Sequence, residues 1–337
     1  MKATFKFFDL ELKHTFSIAK FSRTSTPIIF LELEAEGFKG YGEGSMVPYM
    51  GENPETATSF FKKIDWNKIK LPIDFKEVHA YLESIDKGNP AAKAAIDIAL
   101  HDLHAKTLDI PCYKLFGSNP ENMPVTSYTV GIDTPEIIRE KLAGAKGFKV
   151  IKVKLGRDND EELINTIRET CDLPLYVDAN QGWNDRKMAI DRIYWLHNKG
   201  VQLIEQPMDK MDLDGNAWLT ERSPIPILAD EAVQRIENLD DIKGAYHGIN
   251  VKLMKSAGLY EGYRMIKKAK EFKMKVLIGC MSETSCATLA GMALAPLCDW
   301  ADLDGPALTK NNPFKDPDFK DGKWQLSNDS GLGLKFK

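Results

Sequence analysis

The stretch "GFKVIKVKLG", residues 147–156, sets Lys152 and Lys154 two apart inside a run of β-branched residues. Side chains alternate faces along a strand, so the two ammonium groups point the same way. Taken alone, such a pair reads as the wet face or guarded edge of a strand. The surrounding chain supplies a different context.

From about residue 124, short β-branched runs alternate with amphipathic helical patterns. The runs are "PVTSYTVG", "VIKVKLG", "PLYVDAN", "QLIEQP", "PILADE", "GINVKL", "KVLIGCM" and "CDWADLD". Eight strands with helices between them predict an α/β chain built on a closed parallel barrel of (β/α)₈, modified TIM type. The polar residues near the strand ends are Thr129, Lys154, Asp178, Glu205, Asp230, Lys252, Cys280 and Asp302, spaced 22 to 28 residues apart. That spacing matches one strand, one helix and two short loops.

Ahead of the barrel the grammar differs. "KATFKFFDLEL" and "PIIFLELEAEG" alternate like strands, "GFKGYGEGS" reads as a turn region, and helical patterns follow at about 54–64, 76–86 and 90–107. Residues 1–120 are therefore expected to form an N-terminal α+β capping domain, completed by the C-terminal segment 306–337. Residues 121–305 form the expected barrel, which carries the site.

With 43% hydrophobic and 28% charged residues and a net charge of −4, the chain has the balance of a globular protein and no electrostatic footprint for nucleic acid. No run of 18 apolar residues suggests a membrane span, and "MKATFKFFDLELKHTF" lacks the apolar core of a signal peptide. Five scattered cysteines without a C-x-x-C pair fit reduced thiols. The expected location is the cytoplasm.

Two tempting motifs are set aside. "HDLH", His101 and His104, departs from H-E-x-x-H and lies on a helix of the cap, so packing or surface roles are expected. "GYGEG" has no helix directly after it, which argues against a phosphate cradle.

In a closed (β/α)₈ barrel the C-terminal strand ends converge on one mouth, where active sites lie. Lys154, Asp178, Glu205, Asp230 and Lys252 should therefore meet around one cavity. Asp178, Glu205 and Asp230 make an all-oxygen set for a hard cation, Mg²⁺ with Mn²⁺ as a substitute. Lys154 and Lys252 come from strands on opposite sides of the ring, so a substrate between them would have one amine on each face. Two such bases suit removal and return of a proton α to a carboxylate, through an enediolate whose charge the cation offsets. Lys152 is expected to make the charged form of Lys154 costly and to touch the substrate carboxylate.

The ordered set "KVK", "VDANQGW", "IEQP", "LADE" and "NVKL", with the helix "AAIDIALHDLHAK", resembles the enolase superfamily, muconate-lactonizing subgroup, from about residue 1 to 335. The resemblance implies Mg²⁺ ligands at Asp178, Glu205 and Asp230, an acid/base pair at Lys154 and Lys252, and supporting groups at Asn180 and Glu231. "GCMSET" is similar to the family's strand-7 segment, making Cys280 and Met281 wall candidates. "ADLDGP" resembles the D-x-D signature of dipeptide epimerases, in which Asp302 and Asp304 would hold the substrate ammonium. Thr129 could hydrogen-bond substrate.

The stretches "SIAKFSRTSTP" and "EGSMVPYMGE" should close the mouth, with Arg23 and Thr24 as substrate-side candidates. Compared with Ala-Glu epimerases, no arginine stands at the expected place in the first loop. Lys20 and Phe21 lie near it and Arg23 is displaced, which favours Ala-Ala or Ala-hydrophobic dipeptides.

The expectation is a dipeptide epimerase acting on a small molecule, most naturally as a homo-oligomer. Within the superfamily the alternatives are an N-acylamino acid racemase, an o-succinylbenzoate synthase or a cycloisomerase. More remote alternatives are a Schiff-base lysine aldolase and a non-catalytic barrel. Peptidoglycan recycling and general peptide catabolism both remain open as roles.

Overall fold

The computed structural model describes residues 1–18, 21–47 and 50–337. Lys20, one of the lid positions considered above, lies outside them.

The cap begins with three antiparallel strands, β1 (Lys2–Ser17), β2 (Ser22–Ala35) and β3 (Phe38–Ser45), in the order β1-β2-β3. Helices α1 (Pro54–Lys62), α2 (Phe75–Ile85) and α3 (Pro90–Thr107) follow. The helical patterns sit where the sequence places them, but "GFKGYGEGS" is mostly strand rather than turn. Only Glu36 and Gly37 turn the chain, both at positive φ.

The rest of that stretch is strand because its glycines alternate. A Cβ on Gly40, Gly42 or Gly44 would run into the carbonyls of Ala99, Ala95 and Ala91 respectively. Those alanines, four residues apart on α3, present the backbone of the helix directly to the strand. α3 is buried over nearly its whole length as a result. His101 belongs to this packing, stacked on Phe75 with ring centroids 3.7 Å apart, and His104 meets the same ring edge-on.

Eight parallel strands form the second sheet: β4 (Ser127–Val130), β5 (Val150–Lys154), β6 (Leu175–Asp178), β7 (Val201–Glu205), β8 (Ile227–Ala229), β9 (Gly248–Lys252), β10 (Lys275–Gly279) and β11 (Trp300–Asp302). A bridge between Thr126 and Ala301 joins the two ends of the ring. Between the strands run α4 (Pro135–Ala143), α5 (Asp160–Arg168), α6 (Arg186–Asn198), α7 (Leu213–Arg222), the one-turn α8 (Asn238–Asp241), α9 (Leu259–Glu271) and α10 (Ser285–Leu294). The eighth unit carries only the one-turn α11 (Gly305–Leu308) before the chain returns to the cap.

Residues beyond 308 pack partly on the cap and partly on the barrel, where the Thr126 amide donates to the Gly322 carbonyl at 2.8 Å and Trp324 Nε1 to the Leu303 carbonyl at 2.7 Å. Leu12 bridges Thr309, Phe314 meets Phe30 edge-on, and the Leu332 amide donates to Asp102 of α3 at 2.7 Å. Asp97 of α3 accepts from the Leu259 amide at 2.5 Å, capping α9 of the barrel from the cap. Glu43 of β3 does the same for α10, accepting from the amides of Thr284 and Ala287 and from the Thr284 hydroxyl. Cap and barrel are thus joined by buried acids seated on helix N-termini. No helix among the described residues is long and apolar enough to cross a membrane.

Candidate active site

The barrel register brings the site together. Lys154 pairs with Asp178 and Asp178 with Glu205 across β5, β6 and β7; Lys252 pairs with Gly279 and Gly279 with Asp302 across β9, β10 and β11. In a parallel ladder, paired residues point the same way, so these side chains form a layer at the C-terminal mouth. The carboxylate oxygens of Asp178, Glu205 and Asp230 lie within 4.8 Å of one another, all buried.

Those carboxylates sit among lysines. Lys154 Nζ donates to Asp178 at 2.6 Å and Lys252 Nζ to Asp230 at 2.7 Å. Burial raises the affinity of Asp178 and Asp230 for a proton, but the lysine charges overcome this and hold both below the ordinary carboxylate range. Glu205 goes the other way: burial pushes it up, and the charges of Asp178 and Asp230 offset the help it receives from Lys152. A hard-oxygen set with residual mutual repulsion is suited to Mg²⁺.

The cavity above this floor measures about 380 Å³. Lys154, Lys252, Asp230, Thr129, Asn180, Glu231, Cys280, Met281, Asp302, Asp304 and Arg23 all line it. With Asp178 and Glu205 beside Asp230 in the floor, the sequence candidates are gathered in one place, apart from Lys152 and Thr24.

Lys152 does not line the cavity. It is 1% exposed and lies below the floor, 2.7 Å from both Glu205 and Asp302 and 3.5 Å from Asp178. Burial lowers its proton affinity, yet the charges of Asp302, Glu205 and Asp178 more than offset that and hold it well above the ordinary lysine value. The expected role of repelling the Lys154 ammonium gives way to that of a counterion bridging the acidic trio to Asp302.

Thr24 is the other exception. On β2, Arg23 turns inward and Thr24 outward to solvent, the alternation that any strand imposes.

Asp302 and Asp304 differ sharply. Asp302 accepts from the Ser127 hydroxyl at 2.6 Å and from Lys152 at 2.7 Å. Asp304 accepts the Thr129 amide at 2.6 Å on Oδ2, while Oδ1 stands 3.8 Å from the Cys280 thiol. Burial and the adjacent Asp302 charge push Asp304 up to about 7. An ammonium group is the natural partner for such a pair.

Supporting residues appear that the sequence reading missed. Lys255 Nζ contacts Asp230 Oδ1 at 2.6 Å and also the carbonyls of Asp230, Val233 and Asn250. Asn250 Nδ2 donates to Glu205 at 2.8 Å. Asn250 was findable, because it stands two residues before Lys252 on the same strand face. Lys255 follows the strand in a turn, and its sequence position carries no such signal. Asn180 Nδ2 donates to Glu231 at 3.2 Å, and the Asn180 amide donates to Asp178 at 3.0 Å.

The mouth is held by the cap. The Ile132 amide donates to the Ser17 carbonyl at 3.1 Å, Arg157 donates to the Ile18 carbonyl at 2.7 Å, and Arg23 donates to Ser282 at 2.8 Å. Phe16 lies under both cations of this corner, 5.4 Å from the Arg23 guanidinium and 5.9 Å from Lys154 Nζ.

Fold and site together define a capped barrel enzyme whose buried acidic trio, able to hold a metal ion, lies between two lysines. A family model described as the mandelate racemase / muconate lactonizing enzyme N-terminal domain matches residues 2–117, and one described as enolase C-terminal domain-like matches residues 138–337. The chain belongs to the enolase superfamily, whose members related to it are isomerases named as epimerases and racemases.

The L-Ala-D/L-Glu epimerase of Bacteroides thetaiotaomicron is 48% identical over 335 residues, 99% of this chain and 88% of its own. The L-Ala-D/L-amino acid epimerase of Pedosphaera parvula is 37% identical, with 91% and 90% of the two chains covered. Among solved structures, the dipeptide epimerase of Enterococcus faecalis complexed with Mg and L-Leu-L-Tyr superposes with a TM-score of 0.91 at 30% identity, covering 99% of this chain and 98% of that one.

Proposed function

We propose that this protein is a Mg²⁺-dependent dipeptide epimerase that inverts the Cα of the C-terminal residue by 1,1-proton transfer. The observation that carries this reading is the placement of Lys154 and Lys252, from strands four apart in an eight-stranded ring, around one cavity above a buried acidic trio. Asp178, Glu205 and Asp230 would hold the cation, which supplies positive charge to the substrate carboxylate as the Cα proton leaves. Mn²⁺ is a workable substitute on the same donor set.

Lys154 and Lys252 would act as the acid/base pair, one taking the proton from its face while the other returns one to the opposite face. Lys152 keeps Asp302 ionised, and Asp302 with Asp304 would receive the substrate ammonium. Asn180 and Glu231 support the ligands. Cys280 and Met281 would wall the substrate, and Thr129 orients Asp304 through its amide.

The cap corner bears on the second residue of the dipeptide. The sequence reading favoured Ala-Ala and Ala-hydrophobic substrates because Arg23 stood off its expected place. Arg23 nevertheless lines the cavity, so we add dipeptides with an acidic second residue, in keeping with the Bacteroides relative.

A D₂O screen of L-Ala-Xaa dipeptides by mass spectrometry tests the reading. Deuterium at Cα accompanied by inversion is expected; no exchange with any dipeptide would overturn it. The acylamino acid racemase alternative is separated by comparing a dipeptide with its N-acetylated form, since equal efficiency would leave Asp302 and Asp304 without their role.

A further inference from the structure

The main cavity shares part of its wall with a second cavity of only about 20 Å³. Phe16, Thr129 and Leu308 line both. Beyond that wall the small cavity reaches Leu12, Tyr128 and Lys141. Its size is close to that of a single water.

The shared wall stands at the Asp302/Asp304 end of the site. Leu308 lies one helical turn past Asp304, its amide directed at the Asp304 carbonyl at 3.3 Å, while Thr129 holds the Asp304 carboxylate at 2.6 Å. An ammonium seated on Asp302 and Asp304 is bonded to the Cα of the first residue of a dipeptide. The side chain of that residue therefore leaves from a point beside this wall.

Of the three wall residues, two are committed elsewhere. Thr129 is bound to Asp304 through its amide and approaches Asp302 through its hydroxyl at 3.4 Å. Phe16 supports Lys154 and Arg23. Leu308 contributes only an apolar side chain. Its backbone is strapped from behind to β1: Lys13 Nζ donates to the Ala307 carbonyl at 2.7 Å, Thr309 bridges Leu12, and the Lys310 amide donates to the Glu11 carbonyl at 2.9 Å. A strapped backbone leaves Leu308 only rotation about its side-chain bonds as a way to yield to a larger ligand.

We propose that Leu308 limits the size of the first residue of the dipeptide to about that of alanine, and that the small cavity behind it is the room a larger residue takes once Leu308 is cut back. This rests on the dipeptide epimerase reading with the ammonium at Asp302 and Asp304.

The test compares L-Ala-L-Ala, L-Leu-L-Ala and L-Ala-L-Leu in the wild type and Leu308→Ala. The wild type should prefer alanine over leucine in the first position by at least about tenfold in kcat/KM, the scale on which an apolar wall discriminates a few methylenes. Leu308→Ala should shift that first-position ratio toward leucine by about tenfold or more. The second-position ratio, L-Ala-L-Leu to L-Ala-L-Ala, should stay within about twofold.

An unchanged first-position ratio in Leu308→Ala, or equal use of both first residues by the wild type, would overturn the proposal. If the wild type turned over no dipeptide, the epimerase reading itself would fall, which is a distinguishable result. Leu308→Val covers poor folding of the alanine variant, with the same direction expected. Leu308→Phe should move the ratio the other way, favouring Gly-L-Ala over L-Ala-L-Ala.

Discussion

Lys154 and Lys252 have the same partner chemistry, each donating to a carboxylate of the trio, yet they stand on opposite arcs of the ring. If each serves one face of the substrate, Lys154→Ala and Lys252→Ala should both lose epimerisation by about 10³-fold or more. Each variant should keep solvent exchange at Cα for one antipode only, and for opposite antipodes, as read by ¹H NMR in D₂O. Exchange of both antipodes in either variant would mean that a single base reaches both faces.

Asp304 supplies a second prediction at the residue scale. Its carboxyl is pushed up to about 7 by burial and the Asp302 charge, so it is ionised above that pH and protonated below it. Only the ionised form attracts an ammonium. The ratio of kcat/KM for a dipeptide to that for its N-acetylated form should therefore fall as pH drops through about 7. Taking the ratio cancels titration of the lysines, and Asp304→Asn should flatten it. At this scale the sequence was informative where an ionisable residue ended a strand, as with Asp178 or Lys252. It misled where partners decide the role: Lys152 looked like a repelling neighbour, and only the register puts three carboxylates around it.

The element that the sequence reading missed is β3. Glycine is ordinarily a poor strand residue, and "GFKGYGEGS" therefore reads as a turn. Its use here comes from a tertiary contact, the close approach of α3, which no local propensity records. The alternation of Gly40, Gly42 and Gly44 was visible, as was the four-residue alanine spacing on α3, but their meaning depends on the two elements being neighbours. Gly42→Ala should cost about 1–3 kcal/mol in chemical denaturation, since neither backbone can retreat from the added methyl. Retention of full stability would show that the interface has slack.

Glu43, on the same strand, makes stability depend on pH. Burial pushes its carboxyl up to about 7 against the pull of the Thr284 and Ala287 donors. Between the usual carboxyl value and about 7, the folded chain holds a proton that the unfolded chain has released. Stability must then decline as pH rises through that window. Glu43→Gln should make this slope shallower by the share of one proton in unfolding measured from pH 4.5 to 7.5, though it also weakens the α10 cap. The raised carboxyls of Glu52, Glu231, Glu283 and Asp304 keep their own shares. The barrel strands, by contrast, were legible because a parallel buried strand must be both β-branched and short, and the β/α unit fixes the spacing between them.

For the molecule as a whole, the question is what neutralises the centre. Asp178, Glu205 and Asp230 meet at the barrel mouth, and four buried lysines, Lys152, Lys154, Lys252 and Lys255, reach toward them. Lys154 and Lys252 are the pair proposed to move the proton, so their amines must be able to leave the carboxylates. A divalent cation held by the trio would make that possible by taking over the charge they balance. A cation bound to the folded chain and not the unfolded one raises stability by about 2.7 kcal/mol at a hundredfold excess over Kd. Thermal unfolding should therefore shift upward with Mg²⁺ in the absence of any substrate, and a chelator should reverse the shift and abolish turnover together. Asp178→Asn and Glu205→Gln should lose both the shift and the turnover while remaining folded by circular dichroism. A wild-type enzyme that turns over dipeptides undiminished in excess chelator would remove the metal from the reading and leave the lysines to act on an unassisted carboxylate.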